Sequence, residues 1–103
     1  MRIYISGPIT DNPNAYDAFG DAVANIKKRG HQAINPFALT FVSSKMRWAE
    51  YLEIDIHLLS KADAIAFLPG AEKSIGSMIE KVMAKSYGLL DYDIETGTFG
   101  ALE

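Results

Sequence analysis

Two carboxylates and one turn of small residues carry the chemistry this chain can do. The turn sits in D-A-I-A-F-L-P-G-A-E-K-S-I-G-S-M-I-E, residues 63–80. A short apolar run ends at Pro69-Gly70, Ser74, Gly76 and Ser77 follow, and a helix then begins that carries Glu80 in its first turns. A small-residue loop between a strand and a helix N-terminus lets a ligand approach the backbone. The free N–H groups there favour anions, so phosphates and sugars are the expected guests. Glu80 adds an acid to that binding site. It is either a reactive group or a solvated glutamate favoured by the positive end of the helix. Ser74 is open to two roles as well, an N-cap or a ligand contact.

The second carboxylate is Asp55. Stepped at ~100° per residue, residues 47–60 form a helix with Trp48, Tyr51, Leu52, Leu58 and Leu59 on one face. Glu50, Glu53, His57 and Lys61 lie on the opposite face. Asp55 falls near the middle of the apolar face. Burial there raises a carboxyl pKa unless a partner compensates, and a raised carboxyl is what a general acid needs near neutral pH. The competing role is structural, with Asp55 capping a loop or pairing with Arg2 or Arg47. Trp48, Phe37 and Phe41 are the aromatics available to stack on a base; for Trp48, which shares that apolar face, a place in the core is favoured, and for Phe37 and Phe41 the competing role is to pack a loop.

The elements that must position these groups alternate. Residues 2–6 read as a buried strand stopped by Gly7-Pro8. Asn14 is set to cap a helix in which Ala15, Ala18, Phe19, Ala22, Val23 and Ile26 recur at helical spacing. Lys27, Lys28 and Arg29 suit its last turn, and Gly30 suits its end. Residues 31–34 read as a second strand, 37–45 as loop, 47–60 as a helix, 63–68 as a third strand and 74–87 as a third helix. On that last helix Ile75, Ile79, Val82 and Ser86 are expected to share one face, with Glu80 on a flank. Residues 89–94 read as a fourth strand and 95–103 as a loose tail. The pattern implies an α/β fold, a three-layer sandwich with a small parallel sheet of four or five strands, flavodoxin- or Rossmann-like. Ligands in such sheets bind beyond the carboxyl ends of the strands, where Gly7-Pro8-Ile9-Thr10, Asn35-Pro36-Phe37 and residues 69–76 would meet.

Bulk properties narrow the function. At 103 residues the chain suits one domain, taken as residues 1–103. With 49% hydrophobic residues it can build an ordinary core, and oligomerisation is a natural supplement at this size. The net charge is −3 and the longest basic run is Lys27-Lys28-Arg29, which argues against a nucleic-acid partner. With no cysteine, disulfides, thiolate nucleophiles and Cys-based zinc sites are excluded. His31 and His57 make no metal pattern, so neither a metal nor a cofactor is expected. There is no signal-like start and no membrane-length apolar run, and the expected location is the cytoplasm.

Several segments in order resemble one family. M-R-I-Y-I-S-G-P-I, Y-L-E-I-D-I-H-L-L, A-D-A-I-A-F-L-P-G and S-I-G-S-M-I-E are similar to the nucleoside 2-deoxyribosyltransferase-like superfamily, closest to its short, often phage-encoded branch. The resemblance covers roughly residues 1–88. It implies cleavage or transfer at the N-glycosidic bond of nucleosides or nucleoside 5′-monophosphates. By resemblance Glu80 attacks C1′, Asp55 helps protonate the departing base, and Tyr4 orients the nucleophile. Ser74 would contact a 5′-phosphate, with Gly7, Pro8, Ile9, Gly76 and Ser77 also binding substrate. The segment from Pro69 to Glu80 also resembles the P-G-G-x-G-T-x-x-E motif of cytokinin-activating phosphoribohydrolases. The phosphate-hydrolase branch tends to place an arginine after the first strand. Here that loop is Pro8-Ile9-Thr10-Asp11, and Lys73 is the cation at hand. The family implies a homodimer or higher homo-oligomer, often with C-terminal residues of a neighbouring subunit completing the site. Thr96, Thr98 and Phe99 are the residues available for that here, and none matches a family motif. The alternative on the same residues is a non-catalytic nucleotide-binding or sensing module.

Overall fold

In a computed structural model, which describes residues 1–37 and 46–103, the elements run β1 (Arg2–Ser6), α1 (Ala15–Lys28), β2 (Gln32–Ile34), α2 (Trp48–Leu59), β3 (Ala64–Phe67), α3 (Ile75–Ser86), β4 (Leu90–Asp93) and β5 (Thr98–Ala101). The strands form one sheet in the order β2-β1-β3-β4-β5. The first four are parallel, and β5 returns antiparallel to β4.

Strand β1 explains the layering. Its residues alternate between faces, and helices cover both. Ile3 and Ile5 pack with Ala64 and Ala66 against Ala15, Phe19, Ala22 and Ile26 of α1. Tyr4 faces the other way, with Ile65, and packs against Leu59 of α2 and Ala84 of α3. Ile3, Tyr4 and Ile5 are fully buried. Helix α1 thus lies on one face of the sheet and α2 and α3 on the other, the expected three-layer sandwich. Strands β1 and β3 are neighbours, yet their crossover helices α1 and α3 leave to opposite faces. A crevice opens at the carboxyl ends of such a strand pair.

Three local expectations change. Asn14 occupies the N-cap position of α1 without a side-chain capping bond; its own N–H is instead taken by Asn12 Oδ1 at 3.1 Å. The sheet is not wholly parallel, and residues 95–103 are not a loose tail. Asp93 Oδ1 accepts from Glu95 N–H at 2.9 Å and Thr96 N–H at 3.3 Å, which closes a turn and sends the chain back as β5. Arg29 then clamps the turn, donating to the carbonyls of Ile94 at 2.9 Å and Glu95 at 3.0 Å. His31 packs edge-on against Tyr92 and Phe99 beside this hairpin. Phe41 and the rest of residues 38–45 lie outside the described residues.

Gly97 makes the hairpin testable. Its φ is +73°, and a Cβ there would fall 2.3 Å from Arg29 Nη1. Gly97→Ala is expected to cost about 1–3 kcal/mol in denaturant unfolding. Gly20→Ala, in mid-α1 with open space around its Cβ position, is expected to add about 0.5–1 kcal/mol.

Candidate active site

The crevice at the β1/β3 switch point is a cleft of about 670 Å³. Its walls come from three places. Gly7, Pro8, Ile9 and Thr10 follow β1; Trp48, Tyr51, Leu52 and Asp55 come from α2; and Lys73, Ser74, Ile75, Gly76, Ser77 and Glu80 come from the start of α3. Of the nine candidate residues, the eight other than Tyr4 line it, and Tyr4 reaches it through Glu80. Pro36 and Phe19 also line it. The loops after β1 and β3 press together here: a Cβ on Gly7 would lie 2.9 Å from Leu68 Cβ, so only glycine lets them meet.

Helix α3 enters the cleft by its N-terminus. Residues 71–73 form one tight 3-10 turn, after which Ser74 adopts an extended backbone and caps the helix. Ser74 Oγ accepts from Ser77 N–H at 3.3 Å. The serine is therefore an N-cap and a cleft residue at once.

Glu80 is the centre of the site. It is only 5% exposed, which rules out the solvated role. The face of α3 that meets the sheet carries Ser77, Glu80 and Ala84, whereas Ile75 and Val82 are exposed. Face assignment by apolar residues therefore fails on this helix. Two hydroxyls hold the carboxylate. Ser6 Oγ donates to Oε1 at 2.7 Å, and Tyr4 OH donates to Oε2. Burial pushes the Glu80 pKa up, and these two hydrogen bonds offset only part of that, so it stays above the ordinary glutamate value. Burial, the charges of Glu80 and Asp55, and the bond to Glu80 hold the Tyr4 phenol well above the usual range, so it remains a donor.

Asp55 faces the same cleft from α2. Burial, and then the Glu80 charge, push its pKa from 3.8 to about 7. No Arg pairing offsets this among the described residues, so its structural role as an ion-pair partner is not what the fold uses. Burial thus raises both carboxyls, but only Glu80 has hydroxyl donors that favour its charged form, while the Glu80 charge pushes Asp55 further up, so the two environments differ in which carboxyl they favour as the anion. Trp48, expected in the core, is instead 53% exposed at the rim of the cleft. Thr96, Thr98 and Phe99 belong to the β4–β5 hairpin and do not line the cleft. Among the described residues there is no group of His, Cys, Asp and Glu arranged to hold a metal, and no helix long and apolar enough to cross a membrane.

Ser6 was not among the candidate residues. Its signal was nonetheless present, because it stands two residues from Tyr4 and so shares its strand face. The Lys73 side of the cleft was visible only as a nearby charge.

Residues 1–91 match the family described as Domain of unknown function (DUF4406). The chain belongs to that family. No curated protein matches its sequence. Solved structures do share its fold. The 2-deoxyribosyltransferase of the psychrotolerant bacterium Bacillus psychrosaccharolyticus superposes with a TM-score of 0.73 at 16% identity, over 90% of this chain and 71% of that one. The CMP N-glycosidase BcmB of Clostridium botulinum gives 0.63 at 16% identity, over 90% and 67%. The 2-deoxyribosyltransferase of Leishmania mexicana gives 0.67 at 21% identity, over 89% and 63%, so this chain spans less than two thirds of that enzyme. The DUF4406 chain thus has the nucleoside deoxyribosyltransferase fold.

Removing either donor should move Glu80 further up: Tyr4→Phe and Ser6→Ala each raise its pKa in an NMR titration of the side-chain carboxyl. Asp55 gives a stability test with a definite sign. Its folded pKa is above 3.8, so the charged form is the costly one. That cost appears as pH rises from about 4 and is complete above about 7. Asp55→Asn should therefore stabilise the protein at pH 8, on the order of 1–2 kcal/mol after allowing for partial exposure. The gain should vanish near pH 4 in pH-dependent unfolding.

Proposed function

We propose that this protein cleaves or transfers at the N-glycosidic bond of nucleosides or nucleoside 5′-monophosphates. One observation carries the reading: a buried glutamate, pinned by Tyr4 and Ser6, shares a cleft with an aspartate whose pKa is near 7. The similarity in fold to 2-deoxyribosyltransferases and a CMP N-glycosidase supports it.

Glycosidic cleavage passes through an oxocarbenium-like state. Tyr4 and Ser6 fix both oxygens of Glu80 and leave each a free lone pair, so the carboxylate is aimed without being consumed. Glu80 attacks C1′ and forms a glycosyl ester as the C1′–N bond breaks. Asp55 gives its proton to the departing base nitrogen. The resulting Asp55 carboxylate then removes a proton from water in hydrolysis, or from an acceptor base in transfer, as that nucleophile displaces Glu80. Gly7, Pro8 and Ile9 let the sugar approach the backbone. The N-terminus of α3, with Ser74, Gly76 and Lys73, suits an anionic 5′ substituent. Trp48 at the rim is placed to stack on a base. A cytoplasmic location and a homodimer or higher homo-oligomer are part of this reading, and Ile75, Met78 and Val82, exposed along α3, support the self-association.

Incubation with a panel of nucleosides and nucleoside monophosphates, followed by chromatography, should show free base. Glu80→Gln should lower the rate on the order of 10³-fold or more. Because the acid must be protonated, the rate should fall about tenfold per pH unit above about 7, and Asp55→Asn should abolish that alkaline limb. Nucleotide binding with no base released would instead mark a binding or sensing module.

A further inference from the structure

Ser77 is the residue of the cleft whose chemistry is unaccounted for. It is the third residue of α3, is 2% exposed, and its Oγ has no hydrogen-bond partner among the described residues. Buried hydroxyls are normally satisfied, and alanine would fill the same space without the desolvation cost.

The helix cap does not use this hydroxyl. Ser74 Oγ bonds the Ser77 N–H, but the return bond of a capping box would go to the Ser74 N–H, which already donates to the Ala71 carbonyl at 3.0 Å. Ser77 lines the cleft, and its hydroxyl, buried and without a partner among the described residues, is left for something that enters there.

Its position says what. Ser77 stands three residues before Glu80, on the same helix face, with Cβ atoms about 5–6 Å apart. In a displacement at C1′ the base leaves on the side opposite Glu80, toward the acid. A neighbour of Glu80 on its own helix meets the sugar instead. We propose that Ser77 is a specificity residue that reads a hydroxyl of the substrate's sugar ring, at the 2′ or the 3′ position. This rests on the N-glycosidase reading of the same cleft. A site with a buried polar group rejects the analogue that leaves it unpaired, so Ser77 disfavours sugars lacking that hydroxyl.

The test compares wild type with Ser77→Ala on ribonucleosides, 2′-deoxynucleosides and 3′-deoxynucleosides, each with and without a 5′-phosphate. Base release gives kcat/KM, and calorimetry in a Glu80→Gln background gives binding. Ser77→Ala should lose about tenfold on sugars that carry the read hydroxyl and nothing on those that lack it. Ser77→Thr should keep the discrimination, and Ser77→Ala should melt at the same temperature or higher. Equal losses on every sugar, losses that follow the 5′-phosphate, or a lowered melting temperature overturn the assignment. Base release that is indifferent to Ser77 removes this inference and leaves the N-glycosidase reading. Sugar-dependent binding through Ser77 without base release does the reverse. Absence of any binding removes both.

Discussion

Everything in this fold that bears on chemistry depends on keeping a carboxylate buried at the end of a parallel sheet. An ionised carboxylate taken out of water costs several kcal/mol even after relaxation. Two hydroxyl donors to a charged group return about 1.5–3 kcal/mol each. Tyr4 and Ser6 therefore offset a large part of the cost of Glu80, and neither substitutes for the other, since each holds a different oxygen. The same charge, felt across the cleft, helps keep a proton on Asp55. One buried carboxylate thus adds to what burial already does to its neighbours.

The topology supplies what that arrangement needs. Tyr4 and Ser6 stand on one face of β1, paired in register with Ile65 and Phe67 of β3. Helix α3 brings Glu80 onto that face, and α2 brings Asp55 alongside it. The departure of α1 to the opposite face leaves the crevice open above β1 and β3. The cleft is therefore a consequence of strand order, and its polarity is a consequence of which residues of β1 point toward α3.

Much of this was legible in the residues. Lys27, Lys28 and Gly30 ended α1 where the dipole and the left-handed turn require, and Asp55 stood out because it broke an apolar face. Glu80 was legible as a position but not as an environment. Ile75 and Val82 share a face by spacing, yet both are exposed and the flank that carries Glu80 is buried, because a helix buries the face its neighbours cover, and Tyr4 and Ser6 are remote in sequence. The β4–β5 hairpin escaped for a related reason. Its second strand, T-F-G-A, is short and contains glycine, and its turn is secured by Arg29, far away along the chain. Trp48 was misplaced because amphipathic spacing cannot tell a core face from the lining of a cleft.

The central claim is that Glu80 itself bonds to C1′. Incubation with a 2′-fluoro-2′-deoxynucleoside, whose fluorine slows both the formation and the breakdown of a glycosyl ester, followed by mass spectrometry of the digested protein, addresses it directly. One fluorodeoxyribosyl group is expected on the peptide containing Glu80, and none in Glu80→Gln. Base release without an adduct on the wild-type protein, or an adduct on another residue, would contradict it.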